Sequence, residues 1–165
     1  MISNNDAWLA LIHGRKQFKK SDRLGRRRVL MARLGNPERQ ISIIHVAGTN
    51  RKGSTVAFVR DLLVATGKTV GTFTSPFLMR FNERISVDGV PIPDQDLVEM
   101  VNRVKPVVDN LDQTLEEGGP TEFEIITAMM FCYFKDRVDV AVVEVGIGGI
   151  LDSTNVLTPE VSVIT

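Results

Sequence analysis

Cysteine is nearly absent. The 165 residues hold one, Cys132, which excludes an internal disulfide and fits a reducing compartment. Its place in an apolar helical stretch makes it a core residue. Net charge of one sign is missing too: 20 lysines and arginines balance 20 acids. No global field therefore favours nucleic acid or an anionic membrane. The dense basic run, Arg23 to Arg28 with Lys19 and Lys20 before it, reads as a solvated helix face with an adjoining loop. No apolar run approaches the ~20 residues of a membrane span, and the N-terminus does not read as a secretory leader. A cytoplasmic protein is expected. What is present, 43% hydrophobic and 24% charged residues, is the composition of a soluble globular protein, and the length is enough for one α/β domain with a core of its own.

The chemistry starts in the stretch from Ile41 to Thr55. Ile41 to Ala47 is a β-branched run that suits a buried strand. Gly48-Thr49-Asn50-Arg51-Lys52-Gly53-Ser54 is a small polar loop, and Thr55 to Ala65 reads as a helix closed by Gly67. Strand, glycine loop and helix form a phosphate cradle. Loop N–H groups and the helix N-terminus face the anion. Lys52 adds a full charge, and Ser54 or Thr55 reaches a phosphate or its metal. The standard pattern has glycine directly before the lysine; here Arg51 stands there.

Lys68 to Phe73 is a second strand, so a right-handed parallel βαβ unit is expected. Thr74 to Arg84 is a loop at its carboxyl end, carrying Phe77, Met79 and Phe81. Ile85 to Ile92, with Asp88-Gly89 at its centre, reads as a β-hairpin. A helix from about Gln95 to Glu117 is expected to break or restart near Pro106. Thr121 and Glu124 form a capping box for a helix running to about Lys135. Val138 to Val145 is a third strand, buried on both faces. Glu144 lies at its carboxyl end, and an unpaired buried carboxylate costs several kcal/mol. It therefore needs a partner, either a metal ion beside a phosphate or a basic side chain. Gly146 to Gly149, the polar turn Asp152 to Asn155 and a last strand from Val161 follow. A short amphipathic helix is expected at Asp6 to His13.

These motifs together resemble the N-terminal part of folylpolyglutamate synthase and its bifunctional relative dihydrofolate synthase, in the Mur ligase superfamily. The resemblance rests on His45 to Ser54, on Thr74-Ser75-Pro76 through Phe81-Asn82-Glu83-Arg84-Ile85, on Thr121-Glu122-Phe123-Glu124, and on Val143 to Gly149 with Asp152 to Asn155. It implies a mostly parallel sheet flanked by helices, P-loop NTPase-like, as part of a Mur ligase ATPase domain. Residues 1–165 would be the N-terminal part of an ATP- and folate-binding domain, inactive alone. The implied reaction is ATP-dependent: a folate carboxylate becomes an acyl phosphate, and the amino group of L-glutamate displaces phosphate. By similarity, Thr49, Asn50, Arg51, Lys52, Gly53 and Ser54 hold ATP, with Lys52 catalytic. Ser75 and Glu144 are the implied Mg2+ ligands. Thr121, Glu122, Phe123, Glu124 and Asp152 would contact the folate, with Lys20 to Asp22 near the same pocket. The implied full-length protein is a monomer. A degenerate or truncated homologue that binds no nucleotide is the alternative, because Arg51 departs from the family's glycine and the sequence stops earlier than the resemblance leads one to expect. An unrelated P-loop phosphotransferase or GTPase would need motifs that are missing.

Overall fold

The computed structural model describes residues 12, 14–15, 23–116, 118–150 and 152–165. The helix expected at Asp6 to His13 and the loop at Lys20 to Asp22 fall outside them, apart from Ile12. In chain order the elements are α1 (Arg23–Arg33), β1 (Ser42–Ala47), α2 (Lys52–Ala65), β2 (Val70–Phe73), β3 (Ile85–Val87), β4 (Val90–Pro91), α3 (Asp94–Thr114), α4 (Glu122–Phe134), β5 (Val140–Glu144) and β6 (Val161–Ile164). Short 3-10 turns lie at Pro37–Gln40 and Phe81–Arg84.

The strands form one six-stranded sheet in the order β4-β3-β2-β5-β1-β6. β2, β5, β1 and β6 run parallel, and the β3–β4 hairpin adds an antiparallel edge. This is the expected mostly parallel α/β architecture. β5 shows why a parallel strand can be apolar throughout. Ala141 and Val143 join the larger core, with α3 and α4. Val142 faces the smaller core, where Val46, Val56 and Val70 meet beneath α2. Period 2 then puts Glu144 on the α2 side of the sheet.

Two element boundaries differ from the sequence reading. α2 begins at Lys52, three residues earlier than composition suggested. Arg51 turns the chain with φ 63 and ψ 7, and its carbonyl already accepts the Thr55 N–H at 2.9 Å. Lys52, Gly53 and Ser54 therefore form the first helical turn. α3 runs unbroken through Pro106. A proline inside a helix costs about 3 kcal/mol. The buried stripe Leu97, Met100, Val101, Val104, Val108 and Leu111 outweighs that cost by packing one continuous face on the core.

The basic run is also corrected. Arg28 is exposed, but Arg26 and Arg27 are each only 4% exposed. Both guanidinium groups reach the carboxylate of Glu124, 98 and 97 residues away. A helix face read as solvated is in part a buried ion-pair surface.

Candidate functional site

Three chain-distant residues meet at the carboxyl rim of the parallel strands. Val46 of β1 pairs with Glu144 of β5, and Phe73 of β2 pairs with Val143. The chain segments leaving β1 and β2 therefore flank Glu144. The Lys52 ammonium lies 3.9 Å from Glu144 Oε1. The Ser75 N–H donates to Glu144 Oε2 at 3.1 Å. At Gly53 an added Cβ would lie 3.8 Å from the same Oε2, so the first turn of α2 also faces the acid. Burial pushes the Glu144 carboxyl up, while the Ser75 N–H and the Lys52 charge pull it down without cancelling that rise.

The loop is shaped for this approach. Thr49, Asn50 and Arg51 are exposed, Lys52 is half-buried, and Gly53 and Ser54 are exposed. Lys52, Gly53 and Ser54 present N–H groups at the start of a helix that has no acidic residue in its first turn. Uncapped N–H groups and the helix dipole favour an anion there.

The chain's fit to a magnesium ion can be judged from these donors. Among the described residues no group of three His, Cys, Asp or Glu side chains could hold a metal. Magnesium does not need one, since it keeps waters and binds through one or two carboxylates plus phosphate oxygens. A buried carboxylate whose charge is incompletely matched, with Ser75 beside it, suits that mode.

The second group of expected residues splits. Thr121 and Glu124 close the capping box: the Thr121 N–H donates to Glu124 Oε2 at 2.8 Å, and the Glu124 N–H donates to Thr121 Oγ1 at 3.4 Å. Arg26 forms two bonds of 2.9 Å to the Glu124 carboxylate, and Arg27 adds one of 3.2 Å. Burial raises the Glu124 carboxyl. The Arg26 bonds, the Thr121 N–H and the charges of Arg26 and Arg27 outweigh that and leave it below the ordinary carboxylate range. The Glu124 oxygens are thus engaged within the fold.

Glu122 and Phe123 are half-buried. Phe123 and Asp152 meet around Gly146. A Cβ on Gly146 would fall 2.6 Å from the Phe123 ring and 3.1 Å from Asp152 Oδ2. Phe123 also stacks obliquely on Phe73, with centroids 5.8 Å apart. Gly146 is two residues beyond Glu144, so this aromatic–carboxylate pair adjoins the Lys52–Glu144 rim.

A buried polar relay that the sequence reading missed supports Asp152. Asp152 Oδ2 accepts the Ile147 N–H at 2.7 Å, which pins the glycine loop. Oδ1 accepts the Thr154 N–H and hydroxyl at 2.9 and 2.6 Å. With its proton spent there, the Thr154 oxygen accepts from His45 Nε2 at 2.8 Å. Arg27 donates to the Asp152 carbonyl. Burial lowers the His45 pKa, with Asp152 partly opposing. One signal for the buried arginines was present: Arg26 and Arg27 sit at helical spacing from Leu30, Met31 and Leu34, on the apolar stripe. No local signal pointed to Thr154.

The chain has similar counterparts among known proteins, although no protein-family model matches it. The dihydrofolate synthase/folylpolyglutamate synthase of Bacillus subtilis is 57% identical over 156 residues, which is 93% of this chain and 36% of that enzyme. The folylpolyglutamate synthase of Lacticaseibacillus casei is 51% identical over 158 residues, 95% of this chain and 37% of the relative. A solved FPGS–AMPPCP–folate complex superposes with a TM-score of 0.92 at 49% identity, covering 98% of this chain and 40% of that one. The chain is homologous to the N-terminal part of the folylpolyglutamate synthases. It spans little more than a third of the length of these first two relatives. The expected mostly parallel fold flanked by helices is that of the solved synthases. Among the described residues no helix is long and apolar enough to cross a membrane.

Proposed function

We propose that the chain is the nucleotide- and folate-binding part of an ATP-dependent ligase that adds L-glutamate to a folate. The observation that carries this reading is the convergence of Lys52, the Ser75 backbone and Glu144 at one rim, with Phe123 and Asp152 adjoining. Support comes from a solved relative that holds AMPPCP and folate together.

In this reading the polyphosphate lies on the N–H groups of Lys52, Gly53 and Ser54, and the loop Thr49 to Arg51 borders it. The Lys52 ammonium stabilises negative charge on the transferring phosphoryl group. Ser75 and Glu144 would hold a Mg2+ ion, whose charge offsets that of the phosphates. Phe123 offers a ring face to the flat pterin, with Glu122 beside it. Asp152, locked by Ile147 and Thr154, offers a fixed acceptor. Thr121 and Glu124 shape this wall from behind, with Arg26 and Arg27 clamping it. The γ-phosphoryl group passes to a folate carboxylate oxygen and ADP departs. The glutamate amine then attacks the acyl carbon, and phosphate leaves. We assign the protein to the cytoplasm and the full-length enzyme to a monomeric state.

Equilibrium dialysis with folate in the presence of Mg-AMPPCP tests the substrate half. The reading expects saturable folate binding that Asp152→Ala weakens at least about tenfold, the scale of one lost charge-assisted bond. Folate retention unaffected by that change contradicts it.

A second reading, a homologue that keeps the fold and binds no nucleotide, is favoured by one observation: Arg51, not glycine, occupies a left-handed backbone position. Tight Mg-AMPPCP binding by the unaltered chain rules it out. Binding that appears only in Arg51→Gly would establish it.

A further inference from the structure

The end of β6 reaches back to the phosphate loop. The Thr165 N–H donates to the Ala47 carbonyl at 3.0 Å, extending the β1–β6 ladder by one bond. Its hydroxyl donates to the Asn50 carbonyl at 2.6 Å; the Ala47 carbonyl lies farther off, at 3.5 Å. The approach is tight. A Cβ on Gly48 would lie 2.3 Å from Thr165 Oγ1 and 2.4 Å from its carbonyl oxygen, and Gly48 has φ +147. Only glycine fits there.

The peptide between Asn50 and Arg51 is therefore held at its carbonyl by Thr165, with Arg51 at φ 63 on the other side. A cradle binds an anion only when its N–H groups face the anion and its carbonyls do not. Rotating this peptide by half a turn would carry Arg51 to negative φ, which a residue with a Cβ prefers. The same rotation would swing the Asn50 carbonyl away from Thr165 and exchange the N–H and carbonyl directions in the cradle. In this chain the local backbone preference thus opposes the binding geometry, and the Thr165 hydroxyl bond resists the flip.

We propose that Thr165 is a positioning residue of the phosphate cradle: its hydroxyl pins the Asn50 carbonyl and so keeps the loop in the form that receives a polyphosphate. The inference rests on the nucleotide reading above. The hydroxyl's hydrogen-bond partners within this chain are the Asn50 carbonyl and, more distantly, the Ala47 carbonyl, so its effect falls on the loop.

The test is calorimetric titration with Mg-AMPPCP of the protein, Thr165→Val, Thr165→Ser and the double variant Thr165→Val with Arg51→Gly. Thermal unfolding of each empty protein accompanies the titrations. Valine keeps the shape and removes the donor. The expected result is a loss of about tenfold in affinity for Thr165→Val, the scale of one hydrogen bond, with an unfolding midpoint close to that of the parent. Serine retains the affinity. The double variant regains most of it, because glycine has no bias toward the flipped form. Parent-like affinity in Thr165→Val overturns the inference and leaves the nucleotide reading intact. A loss in Thr165→Val that neither serine nor the double variant restores overturns it as well. Absence of nucleotide binding by the parent overturns both.

Discussion

Glu144 and Glu124 are both buried, and their surroundings treat them in opposite ways. Glu124 is met by Arg26, Arg27 and the Thr121 N–H and stays ionised. Among the described residues Glu144 is met by one N–H and by an ammonium 3.9 Å away, and its carboxyl is raised by burial. A site that keeps a poorly matched charge gives up stability until its ligand arrives. Glu144→Gln removes that charge and keeps an acceptor for the Ser75 N–H. Urea unfolding of the empty variant is expected to show a stability gain of about 1 kcal/mol, the usual scale for such a site. Its Mg-dependent nucleotide affinity is expected to vanish. A variant that is less stable and still binds would contradict the assignment. The need of Glu144 for a partner was legible, because a lone acid in an apolar strand stands out. The Glu124 capping box was legible too, being a local three-residue spacing. Its arginines were legible only in part: helical spacing from Leu30, Met31 and Leu34 puts Arg26 and Arg27 on the inward stripe, but 98 and 97 residues separate them from the Glu124 they meet.

At the scale of elements, the glycine loop after β5 joins the two halves of the site. Gly146 is where it touches Phe123 and Asp152. Gly146→Ala must push the Phe123 ring aside. Overpacking of this kind costs about 1–3 kcal/mol. The change is expected to weaken folate binding more than nucleotide binding, because the proposed folate site is the one that includes Phe123 and Asp152. Parallel titrations with folate and Mg-AMPPCP read the two effects, and equal losses would contradict that division. Strands, hairpin and capping box were readable here because each has a short repeat or turn signature. The start of α2 was not. It is set by the left-handed turn at Arg51, a backbone angle that composition does not reveal. The continuity of α3 depends on the core its stripe packs against, which outweighs the local meaning of Pro106.

For the whole molecule, protonation of His45 links stability to pH. Burial holds His45 below its ordinary 6.5, with Asp152 partly opposing. The unfolded chain therefore takes up this proton at higher pH than the folded one. The contribution is complete above the ordinary value and is lost as pH falls through 6.5 toward the folded value. Glu124, depressed, adds a loss at lower pH, while Glu38 and Glu144, both raised by burial, act in the opposite sense. The difference between the parent and His45→Gln isolates the histidine. The parent's relative unfolding midpoint is expected to fall between pH 7 and pH 5 by about the amount a single shifted proton allows, and a constant difference would contradict it. The central claim is that Lys52, Ser75 and Glu144 form one site for a magnesium–polyphosphate, and isothermal titration of the folded chain with Mg-AMPPCP tests it most directly. The account predicts saturable one-to-one binding that needs magnesium and disappears in both Lys52→Ala and Glu144→Ala. Absence of binding by a demonstrably folded chain, or binding that survives both substitutions, would contradict it.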